Sequence, residues 1–487
     1  MLSTLILKEL RFILSSPKFV AMFAVCAALL LLSVFVGIRE FESSTRAFET
    51  ATGLVDQEIR EARQWSSINN RVFRRPDPMQ IFASGVEFDI GRVSAISSWT
   101  PIKLSSSMYS NDPIYALFRS VDFVFIVSVV LTLFALLFSY DGINGEREQG
   151  TLRLVLSNAI PRGTYILAKF VGSWMGLVVP LLVPLLLSLM LVMVSGVPMT
   201  GEHWVRVGML IGSSLLLFTF FLALGLFVSA TTSSSNVSFL VSLTAWIALV
   251  LIVPRAGVMI AGQIISVPSV AEMESRQDSF AKDRWESHMT SMDARWRERR
   301  KGMESMTKEQ QAAYREEKQW EWAEEDDRER KLVQKDIDEN ARILQEDLRN
   351  RKREQEKLAF TLSRFSPVSA FHLSSMNLAG TDVGLKSRYE DAMQEYRTTF
   401  NAYKDTKQKE SGSSGGIRIS IDTDSGIKID TGREIALNVS DMPKFDHPRA
   451  SFGDIFASIV VDIGVVGVFS LLAFAGAFVG FLRYDVR

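Results

Sequence analysis

The sequence predicts an all-α polytopic membrane protein with six transmembrane helices and a mainly helical extracytoplasmic domain. Two observations lead to this fold class. Apolar residues are concentrated in six runs of about 20 or more, and charge is concentrated in one block between the last two runs. A hydrocarbon core about 30 Å thick requires roughly 20 apolar residues of helix, whereas a buried helix of a soluble core needs only about 10–14. The overall composition, 47% hydrophobic and 22% charged, is close to that of an average soluble protein, so the arrangement decides the fold class.

Each of the six runs is long enough to cross a bilayer as a helix. They comprise residues 19–38, 121–140, 166–195, 207–230, 237–263 and 455–482. The third run is interrupted by Pro180 and Pro184. The first run is predicted to be a retained anchor, because a segment with helical periodicity precedes it and no small-residue cleavage site follows it.

Residues 1–18 are predicted to form an amphipathic helix on the cytoplasmic membrane surface. Lys8, Glu9 and Arg11 lie away from a single apolar stripe. The stripe consists of Leu2, Leu5, Ile6, Leu10 and Ile13. Helices with one apolar face and one charged face lie in the plane of the membrane interface.

The predicted orientation follows from basic residues in short loops, because cytoplasmic loops are enriched in Lys and Arg. Such residues precede the first run, connect the second to the third and follow the sixth: Lys8, Arg11, Lys18, Arg147, Arg153, Arg162, Lys169, Arg483 and Arg487. An even number of runs puts both termini on one side, so the 141–165 loop and the 483–487 tail are predicted to be cytoplasmic. Segments 39–120 and 264–454 are then predicted to lie outside a bacterial inner membrane.

The 39–120 segment is predicted to form a small ordered cap rather than a catalytic domain. Its first part, 41–65, has helical character. The Arg-Pro-Asp-Pro sequence at 75–78 is its clearest turn signal.

The charged block, residues 272–357, predicts a long antiparallel helical hairpin. About half of its residues are charged, with both signs nearly balanced, and Gly302 is its one glycine. Thr307 followed by Gln310 is typical of a capping box that starts a second helix. In that helix, apolar residues recur at steps of three or four: Val333, Ile337, Ala341, Leu344 and Leu348. This narrow stripe suits one packing partner, although a single independent charged helix is the alternative.

Four tryptophans lie in the predicted hairpin: Trp285, Trp296, Trp320 and Trp322. They either pack the two helices together or contact a substrate or an envelope partner. Beyond the hairpin, Ser366-Pro367 starts a short helical section, and residues 386–409 are predicted to form another helix. Isoleucines then alternate with polar residues on both sides of a turn at 422–426, which predicts a β-hairpin rather than a calcium loop.

Several functional classes are excluded by composition and motif. A net charge of −1 argues against a nucleic-acid-binding protein. One cysteine, Cys26, excludes a disulfide framework, and the four histidines lack zinc-motif spacing. The sequence contains neither a phosphate-binding G-x-x-x-x-G-K-[ST] loop nor a G-x-S-x-G elbow, so the chain is not expected to be an enzyme or to carry a cofactor.

The most informative stretch is the predicted cytoplasmic segment from Asp141 to Lys169. It predicts a short helix that contains Thr151, Leu152 and Leu156, followed by a turn at Pro161. A short helix that presents both charge and leucines suits docking into a groove on another protein.

This stretch resembles permeases of the type-2 ABC transporter family. The resemblance is carried by Glu146, Gly150, Thr151, Leu152, Arg162 and Lys169, and by the opening Lys8-Glu-Leu-Arg11 before the first run. Six runs with a long insert between the last two are similar to one subgroup of that family. Its insert often carries elements like Val253-Pro-Arg255, Val267-Pro-Ser269 and Ser366-Pro367.

The resemblance implies two permease units, identical or paralogous, and two separate ABC ATPase subunits that bind ATP and magnesium. The linking helix would dock in a cleft of the ATPase. The residues implied in this coupling are Glu146, Glu148, Gly150, Thr151, Leu152, Leu156 and Arg162. Export is the expected direction of transport. The alternative function is an ATPase-driven mechanotransmission or scaffold protein that acts on an envelope partner through the 272–357 hairpin.

Two intramembrane charges are expected to pair. Arg255 lies about eight residues before the outer end of the fifth run, and Asp462 about eight residues after the outer start of the sixth. Helix rise places both roughly 12 Å below the outer surface, where charged groups usually face the bundle interior. The alternative is that Arg255 extends outward and Asp462 meets backbone or water.

The orientation is testable by cysteine labelling of intact cells, with the outer membrane permeabilised if there is one. Arg300→Cys and Ser425→Cys should react with a membrane-impermeant thiol reagent, because both positions are predicted to lie outside. Glu148→Cys should not react until the inner membrane is opened. Labelling at 148 in intact cells, or protection at 300, would overturn the six-run topology.

Overall fold

The computed structural model describes residues 2–65, 68, 70–97, 102–108, 121–157, 160–410, 418–422, 426–430, 437–448 and 450–483. The chain divides into two compact units. The first consists of Met1–Ile252 and Ser366–Arg487, and the second of Val253–Phe365.

Six helices in the described residues are long and apolar enough to cross a membrane, which confirms the predicted fold class. They span Pro17–Glu61, Phe123–Glu148, Arg162–Val194, Gly201–Thr231, Ser235–Ile264 and Phe452–Leu482. The first continues far beyond residue 38, so the helical stretch expected at 41–65 is largely a continuation of the same helix.

Two of the apolar helices contain π-helical segments. Up to Ser139 the second consists of Phe123–Phe125, the π-helical Ile126–Leu131 and Thr132–Ser139, and the short helix Asn144–Glu148 follows. The fifth consists of Ser235–Ile247, the π-helical Ala248–Ile252 and Val253–Ile264. The Trp246 indole N–H donates to the Thr132 hydroxyl over 2.9 Å, next to both π segments. This buried hydrogen bond ties the second helix to the fifth.

The remaining elements are shorter or lie outside the apolar helices. Helices span Leu2–Leu14, Asn144–Glu148, Thr151–Ser157, Val270–Met303, Lys308–Ser363, Pro367–Ala379 and Leu385–Glu410, with a 3-10 turn at Pro78–Ile81. Strands Asn70–Phe73 and Val93–Ile96 pair antiparallel, as do Arg418–Asp422 and Gly426–Asp430. The second pair confirms the predicted β-hairpin; residues 423–425 of its turn lie outside the described residues.

The first unit has a polar layer beside the apolar helices, which we call the cap layer. It comprises the second half of Pro17–Glu61, the Asn70–Ile96 strand pair with its connection, Leu385–Glu410 and residues 437–448. Its core consists of buried side chains from the helices and strands, with half-buried side chains of residues 437–448 packed against it. The buried members include Val55, Ile59, Trp65, Val72, Met393 and Phe400. Burial also raises the pKa of the Tyr389 hydroxyl to about 12.

The second unit contains the charged helical hairpin, which confirms the predicted pairing of its two helices. The capping box forms: the Thr307 N–H donates to Gln310 Oε1 over 3.0 Å, and the Gln310 N–H donates to Thr307 Oγ1. Val333 of the predicted stripe is 5% exposed. Arg299 lies between the rings of Trp296 and Trp322, 5.1 and 5.0 Å from their centroids, and donates to Glu325. These two tryptophans therefore pack the hairpin, whereas the side chain of Trp320 lies outside the described residues.

Ser366 links the fifth apolar helix to Pro367–Ala379 within the first unit. Its hydroxyl donates to the carbonyl of Leu249 in the π segment over 2.5 Å, and it accepts from the N–H groups of Val368 and Ser369. The predicted helix start at Ser366-Pro367 is thereby confirmed, and the cap residue also satisfies a carbonyl of another helix.

Ser366→Ala is expected to lower the free energy of unfolding by about 1–2 kcal/mol, because a helix cap is lost and the part-buried Leu249 carbonyl loses a donor. Ser374→Ala is the matched control, since Ser374 is equally buried but donates only within its own helix, to Phe371. Thermal unfolding of the purified protein measures both. Equal shifts for the two variants would show that Ser366 has no such linking role.

Candidate functional site

The segment that runs from the end of the second apolar helix to the start of the third contains two short helices. Asn144–Glu148 and Thr151–Ser157 are joined through Gly150, whose φ of +72° is in the left-handed region that favours glycine. The Thr151 hydroxyl donates to the Glu146 carbonyl over 3.1 Å and fixes the corner. Gly150 and Thr151 therefore shape the segment.

A buried charge network surrounds Glu146. One carboxylate oxygen accepts from the Tyr165 hydroxyl over 2.6 Å, and the other lies 3.1 Å from the ammonium groups of both Lys8 and Lys169. Lys169 also contacts Glu9 over 2.8 Å, and its side chain is only 6% exposed. The network joins the N-terminal helix, the short-helix segment and the third apolar helix.

Two glycines let the N-terminal helix approach the third apolar helix closely. A Cβ built on Gly172 would lie 2.7 Å from the Cβ of Glu9, and one built on Gly176 would lie 3.3 Å from Ile13. The absence of side chains at these positions brings Glu9 within reach of Lys169.

Leu152 anchors the segment in a small apolar core. It is 1% exposed and packs with Ile143, Tyr165, Ile166 and Phe481. These neighbours come from the segment itself and from the third and sixth apolar helices. Arg162 adds a hydrogen bond of 2.8 Å to the carbonyl of Leu482 at the end of the sixth helix.

The side chain of Glu148 contacts the first residue of the fifth apolar helix, Ser235. Its carboxylate accepts from the Ser235 N–H over 2.8 Å and from the Ser235 hydroxyl over 2.9 Å. A carboxylate at a helix N-terminus is stabilised by the unpaired N–H groups and by the helix dipole. Glu148 therefore connects the segment to a further apolar helix.

The outward face of Thr151–Ser157 presents different residues from those that the sequence highlighted. Leu152 faces inward, whereas Leu154 is 68% exposed and Arg153 is exposed beside it. Residues two apart on a helix point about 200° away from each other, so a buried Leu152 directs Leu154 outward. The helical periodicity was therefore the sequence signal that could have shown that Leu152 and Leu154 face opposite sides of the helix.

The predicted coupling residues thus lie together in one segment, but several of them serve contacts within this chain. Glu146, Glu148, Leu152 and Arg162 are bound internally, and Leu156 is half-buried. Their role in coupling stays a prediction.

The predicted charge pair stays a prediction as well. Asp462 is fully buried within the first unit, and Arg255 is exposed on the helix Val253–Ile264 of the second unit. Among the described residues, no group of three or more histidine, cysteine or acidic side chains is placed to hold a metal ion.

Comparison with known proteins finds one family whose model matches nearly the entire chain. The ABC-2 family transporter protein model matches residues 3–486. The chain is also 32% identical over 129 residues to the "Probable ABC transporter permease protein NosY" of Stutzerimonas stutzeri, and 33% identical over 130 residues to the protein of that name in Pseudomonas aeruginosa. Each alignment covers 26% of this chain and 46% of the relative, so the chain spans just under half the length of these relatives.

Lys169→Met is expected to destabilise the protein by about 3–5 kcal/mol, because it leaves the carboxylates of Glu9 and Glu146 buried without their shared cation. Lys8→Met is the matched control: Lys8 contacts the same Glu146 carboxylate but its side chain is 52% exposed, so a loss below about 1 kcal/mol is expected. Chemical unfolding in detergent micelles measures both changes. Similar losses for the two variants would contradict the central position given to Lys169.

Proposed function

The chain belongs to the ABC-2 transporter family, and on that premise we propose that it is the membrane-spanning permease subunit of an ABC exporter. The family match over residues 3–486 and the six apolar helices support this proposal. The sequence lacks the G-x-x-x-x-G-K-[ST] loop, so ATP and magnesium are assigned to a separate ATPase subunit. The family match gives no support to the alternative of a mechanotransmission scaffold.

The 146–162 segment is the proposed docking site of the ATPase. The observation that carries this assignment is its combination of an exposed apolar and basic face with rigid internal anchoring. Leu154 and Arg153 form the face, while Leu152 and Glu146 hold the segment from behind. An exposed apolar side chain on a short helix suits insertion into a groove of a partner.

ATP-driven closure of the ATPase pair would displace this segment. The contacts that the segment makes within this chain determine which helices move with it. Glu146 passes the displacement to the N-terminal helix and the third apolar helix, Glu148 to the fifth, and Arg162 to the sixth. Because hydrogen bonds and buried ion pairs hold these elements at fixed distances, they move with the segment. In this proposal the movement of the apolar helices is driven by ATP hydrolysis on another chain.

The proposed assembly contains two permease chains, identical or paralogous, with two ATPase subunits, in a bacterial inner membrane with both termini cytoplasmic. Under this orientation the cap layer and the 272–357 hairpin lie outside the membrane. A partner in the cell envelope at the 272–357 hairpin stays a prediction.

Leu154→Asp is expected to weaken co-purification of the ATPase at least tenfold, because a charge replaces the exposed apolar side chain that enters the groove. Arg153→Glu should act in the same direction. Thermal stability should stay unchanged, since neither residue is buried.

Leu54→Asp is the matched control for this experiment, because Leu54 is 56% exposed on the cap layer, away from the segment. It should retain wild-type ATPase binding. Leu152→Asp is unsuitable for the same purpose, since it would bury a charge within this chain. Wild-type ATPase binding by both Leu154→Asp and Arg153→Glu would refute the docking assignment.

A further inference from the structure

The cap layer encloses a cavity of about 690 Å³ that the proposed coupling function does not use. Its walls come from the second half of Pro17–Glu61, the strand Asn70–Phe73, the helix Leu385–Glu410 and residues 437–448. All four belong to the first unit. Cavities that bind small molecules typically have volumes of about 300–1,000 Å³, so this cavity is of ligand size.

Part of the wall of the cavity is apolar. Val55, Ile59 and Val72 are almost completely buried in the cap core, and the half-buried side chains of Phe73, Met442 and Phe445 provide apolar surface in the lining. An alkyl chain or another apolar group would remove this surface from water, at roughly 25 cal/mol per Å² of apolar area. The wall therefore favours an apolar ligand body.

Asn70 and Tyr396 are polar lining residues whose side chains already have hydrogen-bond partners within the chain. The Asn70 side-chain amide donates to the Tyr396 hydroxyl over 2.8 Å, and that hydroxyl donates to the Pro443 carbonyl over 2.9 Å. Because these hydrogen bonds are made within the chain, an apolar ligand leaves neither the Tyr396 hydroxyl nor the Pro443 carbonyl without a partner.

The exposed lining differs from the apolar part of the wall in its charge. Arg60 and Lys444 are exposed, and neither has a carboxylate within 4.0 Å in the part of the chain that the structure describes. Arg71, by contrast, is paired with Glu58 over 2.7 Å. Asp56 is the one carboxylate among the described lining residues, so the opening carries a net positive charge. An anionic group is the complementary head for an apolar body.

We propose that this cavity binds an anionic amphiphile. The alkyl chain lies against Phe73, Met442 and Phe445, and a carboxylate or phosphate head lies at Arg60 and Lys444. A free fatty acid and a lipid-derived phosphate share this chemistry. The proposal is independent of ATPase docking, because binding to the cavity requires neither the 146–162 segment nor ATP.

The test uses the full-length protein in lipid nanodiscs and isothermal titration calorimetry, with empty nanodiscs subtracted. Octyl phosphate and octanoate are the probes, because eight-carbon chains stay soluble and the two heads represent the two sources. Octylammonium, with the same chain and a positive head, is the matched control ligand. Saturable binding of one anionic probe per chain, at least tenfold tighter than octylammonium, is the expected result.

Two variants locate the binding. Arg60→Glu/Lys444→Glu should weaken binding of the anionic probe at least tenfold, and both positions are exposed, so folding should be preserved. Met442→Trp should also weaken binding, because Met442 is a half-buried lining residue and the larger side chain would occupy part of the cavity. Arg46→Glu is the control charge reversal, since Arg46 lies on the same helix outside the lining. It should bind as wild type.

The outcomes separate clearly. Tighter binding of octyl phosphate identifies a phosphate head, tighter binding of octanoate identifies a carboxylate head, and either supports the site. Equal binding of octylammonium, binding no greater than to empty nanodiscs, or unchanged binding by a folded Arg60→Glu/Lys444→Glu variant would overturn it.

Discussion

A single buried cation organises one end of the helix bundle. The Lys169 ammonium lies 2.8 Å from Glu9 and 3.1 Å from Glu146, in a position where water is excluded. A charge buried alone would cost several kcal/mol, and two carboxylates around one cation would leave an excess negative charge. Lys8 supplies the second positive charge and Tyr165 a further hydrogen bond. Three separate parts of the sequence must therefore be in register before these charges are stabilised together, and this requirement positions the segment from which the proposed coupling starts.

The sequence could predict the features that depend on local pattern. Runs of about 20 apolar residues mark the six helices, and Thr307 with Gln310 marks the start of the second hairpin helix, because a cap forms between residues three apart. The length of the first helix was not predictable from hydropathy. The apolar run ends near residue 38, but no proline follows and the first glycine beyond it is Gly53, so the helix continues to Glu61. Hydropathy locates the edge of the apolar region, whereas helix breakers decide where the helix ends.

Contacts between distant residues set the limits of prediction at the candidate site. Glu148 was expected to face a partner, yet it holds the start of the fifth helix through Ser235, 87 positions along the chain. Leu152 was expected to dock, yet it fills a core completed by Phe481. Glu9 was assigned only to a membrane-surface helix, and its contact with Lys169 depends on the close approach at Gly172. Each of these roles arises from tertiary packing, which no local periodicity encodes.

The uninterrupted helix Pro17–Glu61 buries side chains in both the apolar bundle and the cap layer. It therefore fixes the distance between these two sets of side chains and also the angle between the directions in which they point. Its 45 residues form one rod of about 68 Å, with Cys26 and Leu30 facing the bundle core and Val55 and Ile59 facing the cap core. Each residue turns an α-helix by about 100°, so one inserted or deleted residue between Leu30 and Val55 would turn one set of buried side chains away from its core. Surface substitutions in this stretch leave this angle intact, but changes in length do not. The exposed positions between residues 31 and 54 are accordingly free to vary in chemistry, whereas the number of residues is constrained and buried side chains such as Val34, Ile38 and Phe41 are constrained in kind as well.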